Sequence, residues 1–230
     1  RRPHAPRQAL LPETLPKASR SGVKLNELRS SLDGIWASYR RLLRDPNQIA
    51  LLALKISFLA GLSLVLTVVP LHANSVWGAT AADVGKLSSF VTFLSLLVSP
   101  LSGGLADRIG RPKLAIGGSL ATALAVACTP FATTRRSYYA VRSVWAAGEA
   151  FLITAYATLA LDVTPEEQRG ARSSLDNQVG DVALLFLPIL FGVLGQHSFA
   201  AAFWPAAGLM LAAVATFARL AKPAAAVPVA

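Results

Sequence analysis

Gly104-Leu105-Ala106-Asp107-Arg108-Ile109-Gly110-Arg111-Pro112-Lys113 places one acid and three bases between two long apolar runs. A polar link this short works only if both neighbours stop at the same face of a membrane, so the stretch reads as a loop between two crossings. Gly104 permits close approach of helices, Gly110 suits a turn with positive φ, and Pro112 fits the first turn of the following helix. Asp107 can satisfy free N–H groups at a helix start or pair with a base. Arg108, Arg111 and Lys113 favour the cytoplasmic side.

Working outward from this link, apolar runs recur on both sides. Residues 49–71, broken by Lys55, form the first, and residues 72–81 make a connection without Lys or Arg. Residues 82–102 return, with Pro100 and Gly103-Gly104 marking the end. Beyond the link come residues 114–132, then 138–161 with Arg142 and Glu149, a polar connection over 162–170, residues 174–195 with Asp176 and Asp181 near the entrance, and residues 199–220. At about 1.5 Å rise per residue each can cross a hydrocarbon layer of roughly 30 Å. The expectation is an all-α polytopic membrane protein with a six-helix transmembrane domain over 49–220.

The composition agrees: 53% of residues are hydrophobic and 15% charged, too few polar residues to cover a soluble surface of this size. The net charge of +10 raises the question of nucleic acid. Arg and Lys flank the apolar runs instead of forming one basic face, which argues against it. Cys128 is the single cysteine and reads as an inert packing residue. His4, His72 and His197 lie apart, without metal-ligand spacing. No nucleotide-binding loop, metal cluster or nucleophile–base arrangement points to an enzyme, and no cofactor is expected.

The flanks are read separately. Residues 1–24 are proline-rich and basic, a flexible segment. In residues 25–48, Leu25, Leu28, Leu32, Ile35, Trp36, Tyr39, Leu42 and Leu43 recur at helical spacing opposite Arg29, Asp33, Arg40 and Arg44, the pattern of an amphipathic linker helix at the membrane interface or on a protein surface. Asp45-Pro46-Asn47 then makes a sharp entrance to the first span. Residues 221–230 form a short tail. The chain does not open on Met and is read as a fragment or processed product. Basic residues gather on the links at 103–113 and 162–173 and on the tail, so both termini are expected in the cytoplasm, with Arg135-Arg136 as an exception on the other side.

Residues 104–113 resemble the signature loop between the second and third helices of a six-helix half of the major facilitator superfamily. Arg142 with Gly148 is similar to that family's pattern in the fourth helix, and Pro165-Glu166-Glu167-Gln168-Arg169-Gly170 resembles the loop before the fifth. Residues 10–16 resemble the end of helix six and the start of the central linker in drug-like transporters, which favours the carboxyl-terminal half over the amino-terminal one. The resemblance implies secondary transport of a small solute by alternating access, without ATP hydrolysis and driven by a solute or proton gradient. It also implies a missing homologous six-helix half, or a homodimer, as partner in the bilayer. The rival readings are a non-transporting membrane interaction protein and an inactive fragment.

By the same resemblance Gly104, Asp107, Arg108, Gly110, Arg111, Lys113 and Arg169 form a gating loop, with Asp107 bridging to the start of helix five near residues 172–176. Five charges inside the apolar runs are candidates for coupling or substrate binding. An unpaired acid there is costly, so Glu149 is either a proton or substrate site or a structural polar contact, and Arg142, two turns earlier, is too far along the helix to pair with it directly. Asp176 reads as a helix-entrance or gate residue and Asp181 as facing the cavity or packing helices. Lys55 is a cavity cation, a snorkelling residue or one member of a structural pair. Trp77, Trp145 and Trp204 fit an interfacial aromatic belt.

Overall fold

The computed structural model describes the backbone of residues 25–221 and the side chains of residues 33–221. The basic segment 1–24, with His4 and the stretch 10–16, and the tail beyond residue 221 lie outside the described residues. The chain divides into two compact units, Arg1–Ala37 and Ser38–Ala230. In the first, the described residues belong to helix α1 (Leu25–Leu42), with Ile35 and Trp36 exposed. The last turn of α1 falls in the second unit, where buried Tyr39 and Leu42 pack with Leu52 and Leu175.

The rest of the second unit is helical among the described residues: α2 (Pro46–Leu66), α3 (Val68–Trp77), α4 (Ala81–Ile109), α5 (Arg111–Cys128), α6 (Arg135–Val163), α7 (Arg169–His197) and α8 (Phe199–Leu220). Six helical segments are long and apolar enough to cross a membrane, as expected. Their ends follow local chemistry. Asp45 caps α2 by accepting from the Asn47 N–H, with Pro46 in the first turn. Thr80 and Asp83 form a capping box at the start of α4, Thr134 and Ser137 do so for α6, and Ser198 caps α8.

Four features differ from the expectation. The first crossing does not end at residue 71 but breaks at Thr67 and resumes as α3 to Trp77. Pro70 explains the break: it has no N–H for the carbonyl four residues back, and its ring crowds that turn. In the turns before the break, Thr67 Oγ1 and Ser63 Oγ donate to the carbonyls of Ser63 and Leu59. The second difference is at Pro100 and Gly103-Gly104, which do not stop α4; it runs on to Ile109. In a membrane span no water competes for freed backbone groups, so a proline can be absorbed inside a helix.

The third difference follows from the second. The short polar loop read over residues 104–113 is almost wholly helical: Asp107 and Arg108 sit in the last turn of α4, and Arg111 already starts α5. Gly110 alone makes the turn, at φ 94°, a left-handed value that glycine adopts without strain. The fourth concerns Gly104, where an added Cβ would meet nothing within 4 Å, so it makes no close helix approach.

The close approach lies elsewhere, between α5 and α6. An ideal Cβ on Gly118 would stand 2.7 Å from the Gly148 carbonyl oxygen, and one on Gly148 would stand 2.5 Å from Thr122 Oγ1. Small residues at such crossings let backbones meet where lipid offers no hydrophobic drive. Apolar packing fills two layers. Leu64, Val68, Tyr138, Phe203 and Met210 lie in one, and Leu51, Leu54, Leu114, Leu152 and Phe217 in the other, nearer Gly110. Helices α4 and α7 are the least covered, with Phe93, Leu96, Leu185 and Phe186 exposed. Cys128, expected to be packed, is exposed at the end of α5.

Candidate functional site

Among the described residues, ionisable groups gather at three places in the bundle. The first lies where α2, α6 and α7 meet, toward the end that carries Gly110. Lys55 Nζ is 3.1 Å from Asp176 Oδ2, and Arg172 Nη2 is 3.4 Å from Asp176 Oδ1. The Tyr156 hydroxyl donates to Asp176 Oδ1 and accepts from Arg172 Nη2 at 2.9 Å. Lys55 passes beside Gly180, one turn on from Asp176, at an ordinary contact distance: a Cβ there would sit 3.8 Å from Lys55 Cε. Of the alternatives for Lys55, the pairing with Asp176 is the one found. Asp176 is a hub between three helices. Beside it, Tyr39 and Ser174 share a hydrogen bond of 2.7 Å.

The second place is the middle of α6. Glu149 is 14 residues from the start of a 29-residue helix, about 21 Å along it. The Trp145 indole N–H donates to Glu149 Oε1 at 2.8 Å, and the Arg142 guanidinium lies 4.0 Å from the centre of the Trp145 ring. Arg142 and Glu149, too far apart to pair along one helix, are thus joined through the indole between them. Gly61 on α2 makes the space: a Cβ there would come within 2.9 Å of Glu149 Oε1. Arg142 is 4% exposed, and its Nε and Nη1 have no hydrogen-bond partner among the described residues. Trp145 is fully buried at this depth, so it is not part of an interfacial belt. Trp204, which is exposed and stacks on Phe131, and Trp77, which lies under Arg135, remain near helix ends.

The third place is the Gly110 turn. Arg111 pairs with Asp162 at the end of α6. Asp107 is exposed, hydrogen-bonds to nothing among the described residues and faces a cavity of about 440 Å³ with Arg111 and Asp162. No hydrogen bond or ion pair joins Asp107 to residues 172–176 among the described residues; the tie found at this turn runs from Arg111 to α6. Arg108 and Lys113 are exposed, and Arg169, also exposed, is the first residue of α7. Gln48 adds a second tie at this end, donating to the Val163 carbonyl and to Thr164 Oγ1. At the opposite end Arg135 lies 3.7 Å from Asp83 and over the rings of Trp77 and Tyr139, which gives that exceptional base a local partner.

Asp181 joins none of these. It lies on the exposed face of α7 with Ser173, Asn177 and Gln178, and the four are not hydrogen-bonded to other side chains among the described residues.

Tyr156, Asp162 and Gln48 were not singled out from sequence, and Trp145 was read only as part of an interfacial belt. Trp145 carried a signal: it is three residues after Arg142 and four before Glu149, the spacing that puts all three on one helix face. Tyr156, Asp162 and Gln48 carried none, since their partners lie on other helices. No group of three or more His, Cys, Asp or Glu that could hold a metal is present among the described residues.

Six apolar helices among the described residues, with ionisable side chains buried between them, define a multi-pass membrane protein. A family model described as the Major Facilitator Superfamily matches residues 51–229, and the chain belongs to that superfamily. No curated protein matches it.

Proposed function

We propose that this chain is one half of a secondary transporter that moves a small solute by alternating access, with Glu149 carrying a coupling proton. The observation that carries the reading is the polar face of α7. Ser173, Asn177, Gln178 and Asp181 are exposed on a crossing helix, and Asp181 lies about 18 Å along it. Hydrocarbon cannot hydrogen-bond these groups, so the face belongs against water, solute or a second polar surface. A central cavity shared with a homologous six-helix half, or with a second copy, supplies that setting.

Glu149 suits the coupling step for a physical reason. Near the middle of α6 the ionised form is stabilised by the indole N–H and by Arg142 beyond it, while protonation removes the charge and its desolvation cost. A carboxyl that is ionised when water reaches it and neutral when the helices close transfers one proton per cycle. At the Gly110 end, the Arg111–Asp162 and Gln48–Thr164 ties hold α6 to α5 and α2 while that end is shut. With Arg108, Arg111, Lys113 and Arg169 at this end, both termini lie in the cytoplasm.

Vesicles with an imposed proton gradient, containing this chain alone or joined to a partner half, test the proposal. Solute flux is expected with both halves. Glu149→Gln abolishes the gradient's effect but spares solute exchange, whereas Asp181→Asn weakens solute binding. Gradient-driven flux unchanged by Glu149→Gln rejects the coupling role, and absence of flux in every assembly favours a non-transporting membrane protein.

A further inference from the structure

We infer that the cavity between the last turns of α6 and the first turns of α7 binds a phosphate-type oxyanion. This does not depend on the chain transporting anything. The cavity measures about 170 Å³, and its lining includes Tyr156, Thr164, Arg169, Arg172, Ser173 and Asp176.

Its charges do not balance. Arg172 is 4% exposed and reaches Tyr156 and Asp176 through Nη2, but its Nε and Nη1 have no acceptor among the described residues. The carboxylate it leans on is already shared, because Lys55 holds the other oxygen of Asp176 and the Tyr156 hydroxyl donates to the same one as Arg172. Arg169 also lines the cavity, so two guanidinium groups face it against the single carboxylate of Asp176, which Lys55 engages from outside the lining. No other acid is in the lining. Asp162 is engaged by Arg111, and Glu166 and Glu167 are exposed on the preceding turn and are not part of the lining.

A tetrahedral oxyanion answers each of these features. It brings the missing negative charge into a poorly solvated place and offers several acceptor oxygens to guanidinium N–H groups, the geometry in which arginine binds phosphate best. Thr164 and Ser173 add hydroxyl donors. The cavity lies toward the end of the bundle that carries Gly110, where a span meets the headgroup layer. Basic pockets between helices at that depth hold anionic lipid headgroups, and a soluble phosphate offers the same chemistry.

The purified full chain provides the test. In lipid nanodiscs, spin-labelled phosphatidylglycerol is compared with spin-labelled phosphatidylcholine for the fraction held immobile. In lipid-free detergent, the melting temperature is followed against inorganic phosphate. A lipid site gives selective retention of phosphatidylglycerol, weakened about tenfold in Arg172→Gln and in Arg169→Gln and little changed in Lys113→Gln, the loss expected from one charge-assisted contact. A soluble-anion site gives a phosphate-dependent rise in melting temperature, lost in the same two variants. Arg169 forms no ion pair among the described residues, so its variant reads the site even if Arg172→Gln fails to fold. Absence of both effects, or an equal loss in Lys113→Gln, overturns the inference.

Discussion

Gly148→Ala is expected to destabilise the bundle by about 3 kcal/mol, while Gly117→Ala is neutral or stabilising. An ideal Cβ on Gly148 lies 2.5 Å from Thr122 Oγ1, 2.7 Å from the Gly118 carbonyl oxygen and 2.9 Å from the Thr122 amide nitrogen. Two of these three atoms are backbone, so no rotamer change relieves the clash. The third is held by its own bond to Gly118, 3.0 Å long. Comfortable contact needs roughly 3.5 Å, so α5 and α6 must part by most of an ångström, and every neighbouring pair then loses part of its dispersion attraction. Overpacking typically costs about 1–3 kcal/mol, and a clash against backbone belongs at the upper end. Gly117 has nothing within 4 Å of its Cβ, so alanine there contributes only its helix propensity, about 0.5–1 kcal/mol in favour of the fold.

The two variants, on facing helices, should therefore differ by about 3–4 kcal/mol. Unfolding in mixed micelles, followed by helical circular dichroism, reads that difference. Adding Thr122→Ala to Gly148→Ala removes only the hydroxyl clash and is expected to restore less than half of the loss, a non-additivity that neighbouring residues should show. Gly148→Ala within 1 kcal/mol of the parent, or a loss at Gly117 equal to that at Gly148, would refute the close crossing as the basis of the argument.

Two further outcomes follow from the charge clusters. Asp176→Asn should destabilise more than Lys55→Met, by about 1–2 kcal/mol in the same unfolding assay, because removing the carboxylate leaves Lys55 and Arg172 without their shared anion, whereas removing Lys55 leaves the Arg172–Asp176 pair intact; equal losses would show that the hub is not shared. Trp145→Phe keeps an aromatic ring beside Arg142 but deletes the donor to Glu149, and should cost about 2 kcal/mol in the parent but much less in a Glu149→Leu background, which has no acceptor for the indole N–H, as a double-mutant cycle would register.

The crossings were legible in the sequence because lipid imposes one coarse requirement, a long apolar run, and residues 199–220 match α8 end to end. Gly110 and Pro112 were legible for a local reason, since a positive φ and a missing N–H are properties of single residues. Rules that treat proline and glycine as stops failed at Pro100 and Gly103-Gly104, because they describe helices exposed to water, where a freed carbonyl gains a competing partner. Pro70 ran the other way: a break was not expected inside an apolar run, yet the missing N–H decided it. Among the charges, sequence could show that Lys55, Arg142, Glu149 and Asp176 were too costly to leave unpaired but not what pairs them. Lys55 and Asp176 are 121 residues apart, and their meeting depends on how α2 and α7 rotate and slide against each other. Only the Arg142–Trp145–Glu149 line, confined to one helix, was within reach of spacing.

That interhelical dependence bears on how α7 is held. Of its 29 residues only Arg172, Leu175, Gly180 and Phe191 are buried, whereas α2 buries residues along most of its length. Apolar packing therefore fixes α2 within the bundle, but it contributes far less to fixing α7. The remaining ties on α7 are polar: Asp176 to Lys55 and Tyr156, Arg172 to Tyr156, and Ser174 to Tyr39. Packing loses its attraction as soon as surfaces part, while ion pairs and hydroxyl bonds near a helix end can exchange one partner for another or for water at modest net cost. The helix that presents Asp181, Asn177 and Gln178 outward is thus the one whose attachment can be reset by charge. Loosening at Asp176→Asn should appear first in α7, as faster amide exchange along that helix than along α2 or α5.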